Sequence, residues 1–192
     1  LGVALAPFLI PKNKMACDLT TGRSVPCKDV VGGIKSVYFS NYGELGAITY
    51  DVTNTDAIDS FGGTPDAYQY DVKGNSSFTQ NVNSSRENGT TFFEQVLELT
   101  FTKLDKASHK ELKLMAYGRP HIFVEDYNGN IFVMGLLHGA EVTGGTIVTG
   151  AAMGDLSGYT LTLTAQEQVP ANFIDNTLSG AGVVVSATQI NP

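Results

Sequence analysis

Residues 120–167 constrain the fold of this chain more than any other stretch. Two β-branched and aromatic segments, His121–Asp126 and 131–137, flank the sequence Tyr-Asn-Gly-Asn at 127–130. Asn128-Gly129 is the residue pair that best tolerates the positive φ of a type I′ turn, so the spacing predicts a β-hairpin. A Gly- and Thr-rich excursion over 143–158 follows, and 159–167 then returns as a third strand. That strand alternates: Tyr159, Leu161 and Leu163 fall on one face, and Thr160, Thr162 and Thr164 on the other. The pattern predicts an antiparallel sheet with one buried face.

The same period of two recurs upstream. Strands are predicted over 34–40, 47–52, 67–72, 77–82 and 90–103, with Lys73-Gly74-Asn75 joining the third and fourth as a hairpin turn. In the longest, Phe93, Gln95, Leu97, Leu99 and Phe101 oppose Phe92, Glu94, Val96, Glu98 and Thr100. Residues 53–64 carry turn formers and read as an exposed loop. One helix is predicted, at about 105–117, with Asp105 as N-cap, Leu104, Leu112, Met115 and Ala116 as an imperfect apolar face, and Gly118 and Pro120 ending it. Beside a sheet, such a helix covers an open face. The expected fold is mainly β: an antiparallel β-sandwich or rolled barrel with one flanking α-helix and long loops. Three parts are expected: an N-terminal extension or arm (1–33), the β domain (34–172), and a C-terminal arm or edge strand (173–192) around Val183, Val184 and Val185.

Charge and composition narrow the function. A net charge of −7 argues against a nucleic-acid-binding groove, which needs clustered Lys and Arg, but suits a surface past which nucleic acid slides. Twenty-one glycines with only 16% charged residues indicate many loops and a surface partly covered by other subunits. Cys17 and Cys27 are too far apart for a redox pair, have no second pair with which to hold zinc, and are expected to stay reduced. The apolar start, LGVALAPFLI, is too short to cross a membrane and lacks the pattern of a signal peptide. Met15 has the look of a start, which would make 1–14 an upstream extension.

No catalytic pattern stands out. Asp18, Asp29, Glu125, Asp126 and Asp155 are the carboxylates to test for a metal or acid–base site, but 126–130 lacks the ligand schedule of a calcium loop and reads as an Asx-stabilised hairpin. His109, His121 and His138 form no metal-binding spacing. There is no nucleophile elbow and no phosphate loop: TGGTIVTG neither opens a helix nor carries a lysine. Three Asn-x-Ser/Thr triplets, at Asn75, Asn83 and Asn88, mark polar loops. No cofactor and no metal are expected. The glycines of 143–158 instead let a long segment bend and pack against a neighbour. The expected assembly loop comprises Thr143, Gly144, Gly145, Gly150, Gly154, Asp155 and Gly158, and deleting 143–158 is expected to leave a folded monomer that no longer polymerises.

The segments MACDLTTGRSVPCKDVVGG at 15–33, VEDYNGN, GAEVTGG and TGAAMGDLSGYTLTLTAQE, with the Pro-Ala that closes them, resemble the structural proteins of tailed bacteriophages, and most of all their tail-tube proteins. The resemblance covers most of 15–172. It implies a two-sheet β-sandwich with a flanking helix and a homo-oligomer of stacked, hexameric rings whose inner strands join into one β-barrel. It also implies an acidic lumen through which DNA passes without specific binding. A virion-tail location follows, with the host cytoplasm during assembly, other tail or neck proteins as partners, and no membrane insertion. The segments 41–64 and 143–158 would be contacts between subunits or rings. The chain departs from the family in its 1–14 leader, its 173–192 tail and its cysteine-bearing arm. A capsid-decorating or head–tail adaptor protein is the alternative, and a small β-sandwich hydrolase a remote one.

Overall fold

The computed structural model describes residues 21–25, 27–72 and 75–186. It is mainly β with one helix, a β-sandwich of an eight-stranded and a four-stranded sheet. The strands are β1 (Ile34–Ser40), β2 (Ile48–Tyr50), β3 (Ala57–Phe61), β4 (Asp66–Asp71), β5 (Ser77–Ser85) and β6 (Thr90–Thr102). After α1 (Lys106–Tyr117) come β7 (His121–Asp126), β8 (Ile131–Met134), β9 (Glu141–Val148), β10 (Gly158–Glu167), β11 (Asn172–Ile174) and β12 (Val184–Val185). The large sheet runs β12-β4-β1-β7-β8-β11-β3-β2 and the small one β5-β6-β10-β9.

Two apolar cores explain why β7 is buried on both faces. Ile122 and Val124 point into a core shared by the two sheets, with Leu97, Leu99 and Leu163 from the small sheet and Leu112 and Met115 from α1. Phe123 points the other way, into a second core with Ile58, Phe61, Val133, Ile174 and Leu178. The large sheet curls around this second core. The chain after β11 closes the curl: Asp175 N–H donates to Ile58 O at 2.9 Å and Phe61 N–H to Ala181 O at 2.9 Å.

The helix follows its sequence signals. Asp105 is the N-cap, its carboxylate accepting from the backbone N–H of Ala107 and Ser108, and Gly118 ends the helix with an N–H donated to Leu114 O. The Ser108 and Ala107 N–H groups hold the Asp105 carboxyl below its usual range.

Several expectations are corrected. The large sheet is mixed, since β11 pairs parallel with β3 and β12 with β4. Residues 67–72 and 77–82 do not form a hairpin: β4 belongs to the large sheet and β5 to the small one, while Lys73 and Gly74 lie outside the described residues. The exposed loop expected at 53–64 contains β3, whose Ala57, Ile58 and Phe61 are buried. The boundary expected at 172 falls inside β11, in the interior of the sheet. Strand β8 stops at Met134, not at 137. At Gly135 φ is +69°, and a Cβ would sit 2.5 Å from the backbone of Gly139, so the chain turns there in a conformation reserved for glycine.

The hairpin at Asn128-Gly129 is present but built differently. Only Gly129 has positive φ, at +83°. Gly129 N–H donates to Asp126 O at 3.2 Å and Asp126 N–H to Asn130 O at 3.0 Å, the pattern of a three-residue loop closed by a glycine bulge. The Asp126 carboxylate decides this. It accepts from the backbone N–H of both Asn128 and Asn130 at 2.8 Å, which favours the longer loop over a two-residue turn.

Candidate assembly surface

The outward face of the small sheet is distinctive in charge. The registers put Asn81 and Thr79 of β5, Glu94, Glu98 and Thr100 of β6, Thr160, Thr162 and Thr164 of β10, and Glu141 and Thr146 of β9 on the side away from the shared core. Three carboxylates and a field of hydroxyls stand there, and the described residues of these strands place no Lys or Arg on it. Cross-strand hydroxyl bonds tie the face together, Thr146 to Thr160 at 2.7 Å and Thr143 to Thr164 at 3.0 Å.

Among the described residues both edges of this sheet are open, at β5 and β9. Each carries one strongly exposed apolar residue on the inward side, Val82 at 64% and Ile147 at 59%. All three pairings in the sheet are antiparallel, so the two edge strands run in opposite directions. Copies joined edge to edge would therefore continue the same alternation.

The edges are also staggered. Strand β5 sits level with 90–98 of β6, whereas β9, read through β10, sits level with 96–102. Centre to centre the offset is about five residues across four strands, and a junction that keeps outward residues facing outward needs an even shift; the shift that sets Thr146 opposite Thr79 is four. At about 3.3 Å per residue and 4.8 Å between strands, a shift of four gives a strand tilt of about 35° if β9 of one copy pairs with β5 of the next. Closed barrels have tilts of about 35–45°. The tilt follows from one subunit's stagger and the register of the junction, and does not depend on how many copies join.

The residues expected to form an assembly loop divide. Thr143, Gly144 and Gly145 belong to β9 and not to a loop. Gly145 is there because a Cβ would come within 2.5 Å of Thr160 O. Gly158 opens β10, buried where a Cβ would lie 2.0 Å from Phe101 O. Only Gly150, Gly154 and Asp155 occupy a true excursion, which carries the fully exposed Met153. Asp155 shapes it by accepting from Ala152 N–H at 2.7 Å and Ala151 N–H at 2.9 Å, and those bonds lower its pKa. Deleting 143–158 would remove an edge strand and the buried start of β10, so that deletion no longer separates folding from assembly.

The sequence reading missed a polar corner at 135–140. Glu167 is fully buried, and its Oε1 accepts from Leu137 N–H at 2.9 Å and His138 N–H at 2.8 Å. Its Oε2 lies 2.9 Å from His138 Nδ1. Buried Gln95 accepts from Gly135 N–H at 3.0 Å. His121, also buried, has Nδ1 2.7 Å from Gly135 O, and its Nε2 accepts from Gly43 N–H at 3.1 Å, which fixes the neutral tautomer with its proton on Nδ1. Burial lowers the His121 pKa, and the Gly135 carbonyl, Glu167 and Glu44 only partly oppose it. Tyr42 stacks on His121 with centroids 5.1 Å apart, and the Arg119 guanidinium covers the Tyr42 ring at 4.6 Å. The Glu167 carboxylate, the Gln95 carbonyl oxygen and both His121 ring nitrogens each close on a backbone group or on another side chain of the corner. The one sequence signal was an acidic residue at an inward position of an alternating strand, where Glu167 follows Ala165 and Leu163.

The remaining candidates are structural. Glu125 accepts from Lys35 Nζ at 2.5 Å and from Tyr38 OH at 2.9 Å, and burial together with that carboxylate pushes the Tyr38 pKa up to about 12. His109 lies beside the Tyr159 ring. No cluster of metal-ligating side chains occurs among the described residues. Cys27 is exposed, and Cys17 and Asp18 lie outside the described residues. A scan against protein-family models gives no match, and neither curated proteins nor solved structures give one.

Proposed function

We propose that this protein is a structural subunit of a bacteriophage tail tube. Copies join β9 to β5 so that their small sheets close into one barrel, with the hydroxyl- and carboxylate-rich face lining a conduit for DNA. The observation that carries this reading is the stagger of the two open edges, which at an even junction shift of four corresponds to a tilt of about 35°, the lower end of the range that closed barrels take. The charge of the face supports it. A wall bearing Glu94, Glu98 and Glu141 without cations repels phosphate and gives passing DNA no point of attachment. Joined edges would also cover Val82 and Ile147, and would leave no strand edge open to unplanned pairing.

The barrel would form the inner wall, and the curled large sheet and α1 the outer body. The excursion around Met153 is the contact proposed toward neighbouring rings or other tail proteins. Negative-stain imaging of the concentrated protein tests the proposal: open rings or stacked tubes are expected. Trimers, or monomers that bind empty capsid shells, would favour a decorating protein, and a protein that stays monomeric at every concentration and salt would remove the ring.

A further inference from the structure

The chain contains two Asn-Gly pairs, Asn88-Gly89 and Asn128-Gly129. Both lie in exposed turns, yet their surroundings differ in the features that govern the chemistry of such a pair. The glycine nitrogen, unhindered by a side chain, can attack the asparagine Cγ. The new N–Cγ bond closes a succinimide while the Cγ–Nδ2 bond breaks, and Nδ2 leaves as ammonia with the proton from the glycine nitrogen. Water then adds to either ring carbonyl and opens the ring to isoaspartate or aspartate, releasing a proton. Water is the only co-reactant.

At Asn128 both reacting groups are held. Its Oδ1 accepts from Val31 N–H at 3.0 Å, and its Nδ2 donates to Val31 O at 2.7 Å and to Asp126 Oδ2 at 3.2 Å. The side-chain amide pairs with Val31 as a neighbouring strand would. The nucleophile, Gly129 N–H, is itself donated to Asp126 O at 3.2 Å. Closing the ring requires breaking both bonds to Val31. At Asn88 the backbone N–H is donated to Ser85 Oγ at 3.3 Å, and the carboxamide has no hydrogen-bond partner among the described residues. Gly89 has φ +63° and open space around the position of a Cβ.

We infer that Asn88 is the deamidation site of this protein, and that Asn128 is a latch on the 31–33 segment that becomes a second site only when that segment leaves it. The latch works in one direction. Aspartate at 128 places an oxygen where Nδ2 now donates to Val31 O and Asp126 Oδ2, so three acceptors face one another and the segment does not dock again. The segment has little else to hold it. Val30 and Val31 are 72% and 60% exposed, and its other tie is Tyr127 N–H to Gly33 O at 3.3 Å.

The test is peptide mass spectrometry of the full chain aged for weeks at neutral pH, with isoaspartyl methyltransferase labelling to locate the product. Asn88 is expected to convert at least about tenfold faster than Asn128, the ratio that one or two retained hydrogen bonds provide. Val31→Pro removes the N–H that Asn128 accepts and is expected to raise the Asn128 rate at least about fivefold while leaving Asn88 unchanged. Should that variant misfold, the wild-type chain in urea serves instead, where the two rates should converge. Equal rates in the folded wild type would overturn the inference, as would an Asn128 rate unmoved by Val31→Pro in a folded protein or a rate difference that persists in urea.

Discussion

Glu167 offers the sharpest test of how the large and small sheets are held in register. It is a carboxylate with no exposed side-chain surface, and it sits on β10 while the groups it binds sit in the turn after β8. Replacing it with alanine leaves the N–H groups of Leu137 and His138 without their acceptor. Each donor left without its acceptor costs about 1–3 kcal/mol where water does not replace the carboxylate. The bond to His138 adds little, because that ring is 59% exposed and water can take the place of the carboxylate. Glu167→Ala is therefore expected to lower stability by about 3–5 kcal/mol. Glu167→Gln keeps a carbonyl oxygen for both N–H groups and removes the cost of burying a charge, so a change within about 1 kcal/mol is expected. His138→Gln should also cost about 1 kcal/mol or less. Urea titrations followed by circular dichroism read all three. Equal losses for Glu167→Ala and Glu167→Gln would show that the charge, and not the acceptor geometry, holds the corner. A loss below about 1 kcal/mol for Glu167→Ala would show that the corner is not held by this residue at all.

Other consequences follow from neighbouring features. His121 is neutral in the fold with a pKa below its ordinary 6.5, so the unfolded chain takes up the proton first. Stability should fall as the pH drops below 6.5 until His121 itself titrates, and His121→Gln should flatten that part of the pH–stability curve. Gly135→Ala imposes a Cβ at φ +69° and 2.5 Å from Gly139, and a loss of about 3 kcal/mol or more is expected in urea. Replacing 150–155 with a two-residue turn should keep the monomer's melting temperature within a few degrees while altering assembly as read by sedimentation. Loss of folding would show that the excursion supports the core.

The sequence was most legible where one strand or helix carried its own signal. Strands β6 and β10 and helix α1 stand where alternation and the Asp105 cap put them, because their inward residues are mostly large and their outward ones mostly polar. Strand β1 stands where its apolar and aromatic residues put it, although it is buried on both faces. Strand β3 escaped because its stability comes from Ile58 packing against Phe123 and Ile174 and from a parallel partner more than a hundred residues away, neither of which leaves a local mark. Strand β9 escaped for the opposite reason. Gly144-Gly145 reads as loop, yet Gly145 is what allows the strand to approach Thr160 so closely. The corner around Glu167 was hidden because buried polar residues are recognised by their partners, and those partners lie 29 and 30 positions away. The acidic face could be tallied in the sequence but not assembled, since it needs the registers of four strands.

The most direct test of the ring is a covalent one. With β9 of one copy set against β5 of the next in the register that the stagger implies, Thr146 and Thr79 come opposite each other on the outward face. A protein carrying Thr79→Cys and Thr146→Cys, with Cys17 and Cys27 replaced by serine, should on mild oxidation give a ladder of disulfide-linked oligomers ending at a closed ring. Each single-cysteine control should stop at dimers. Oxidation that yields only monomers and intramolecular products, under conditions where the unmodified protein forms particles, would contradict the β9–β5 junction and the barrel built upon it.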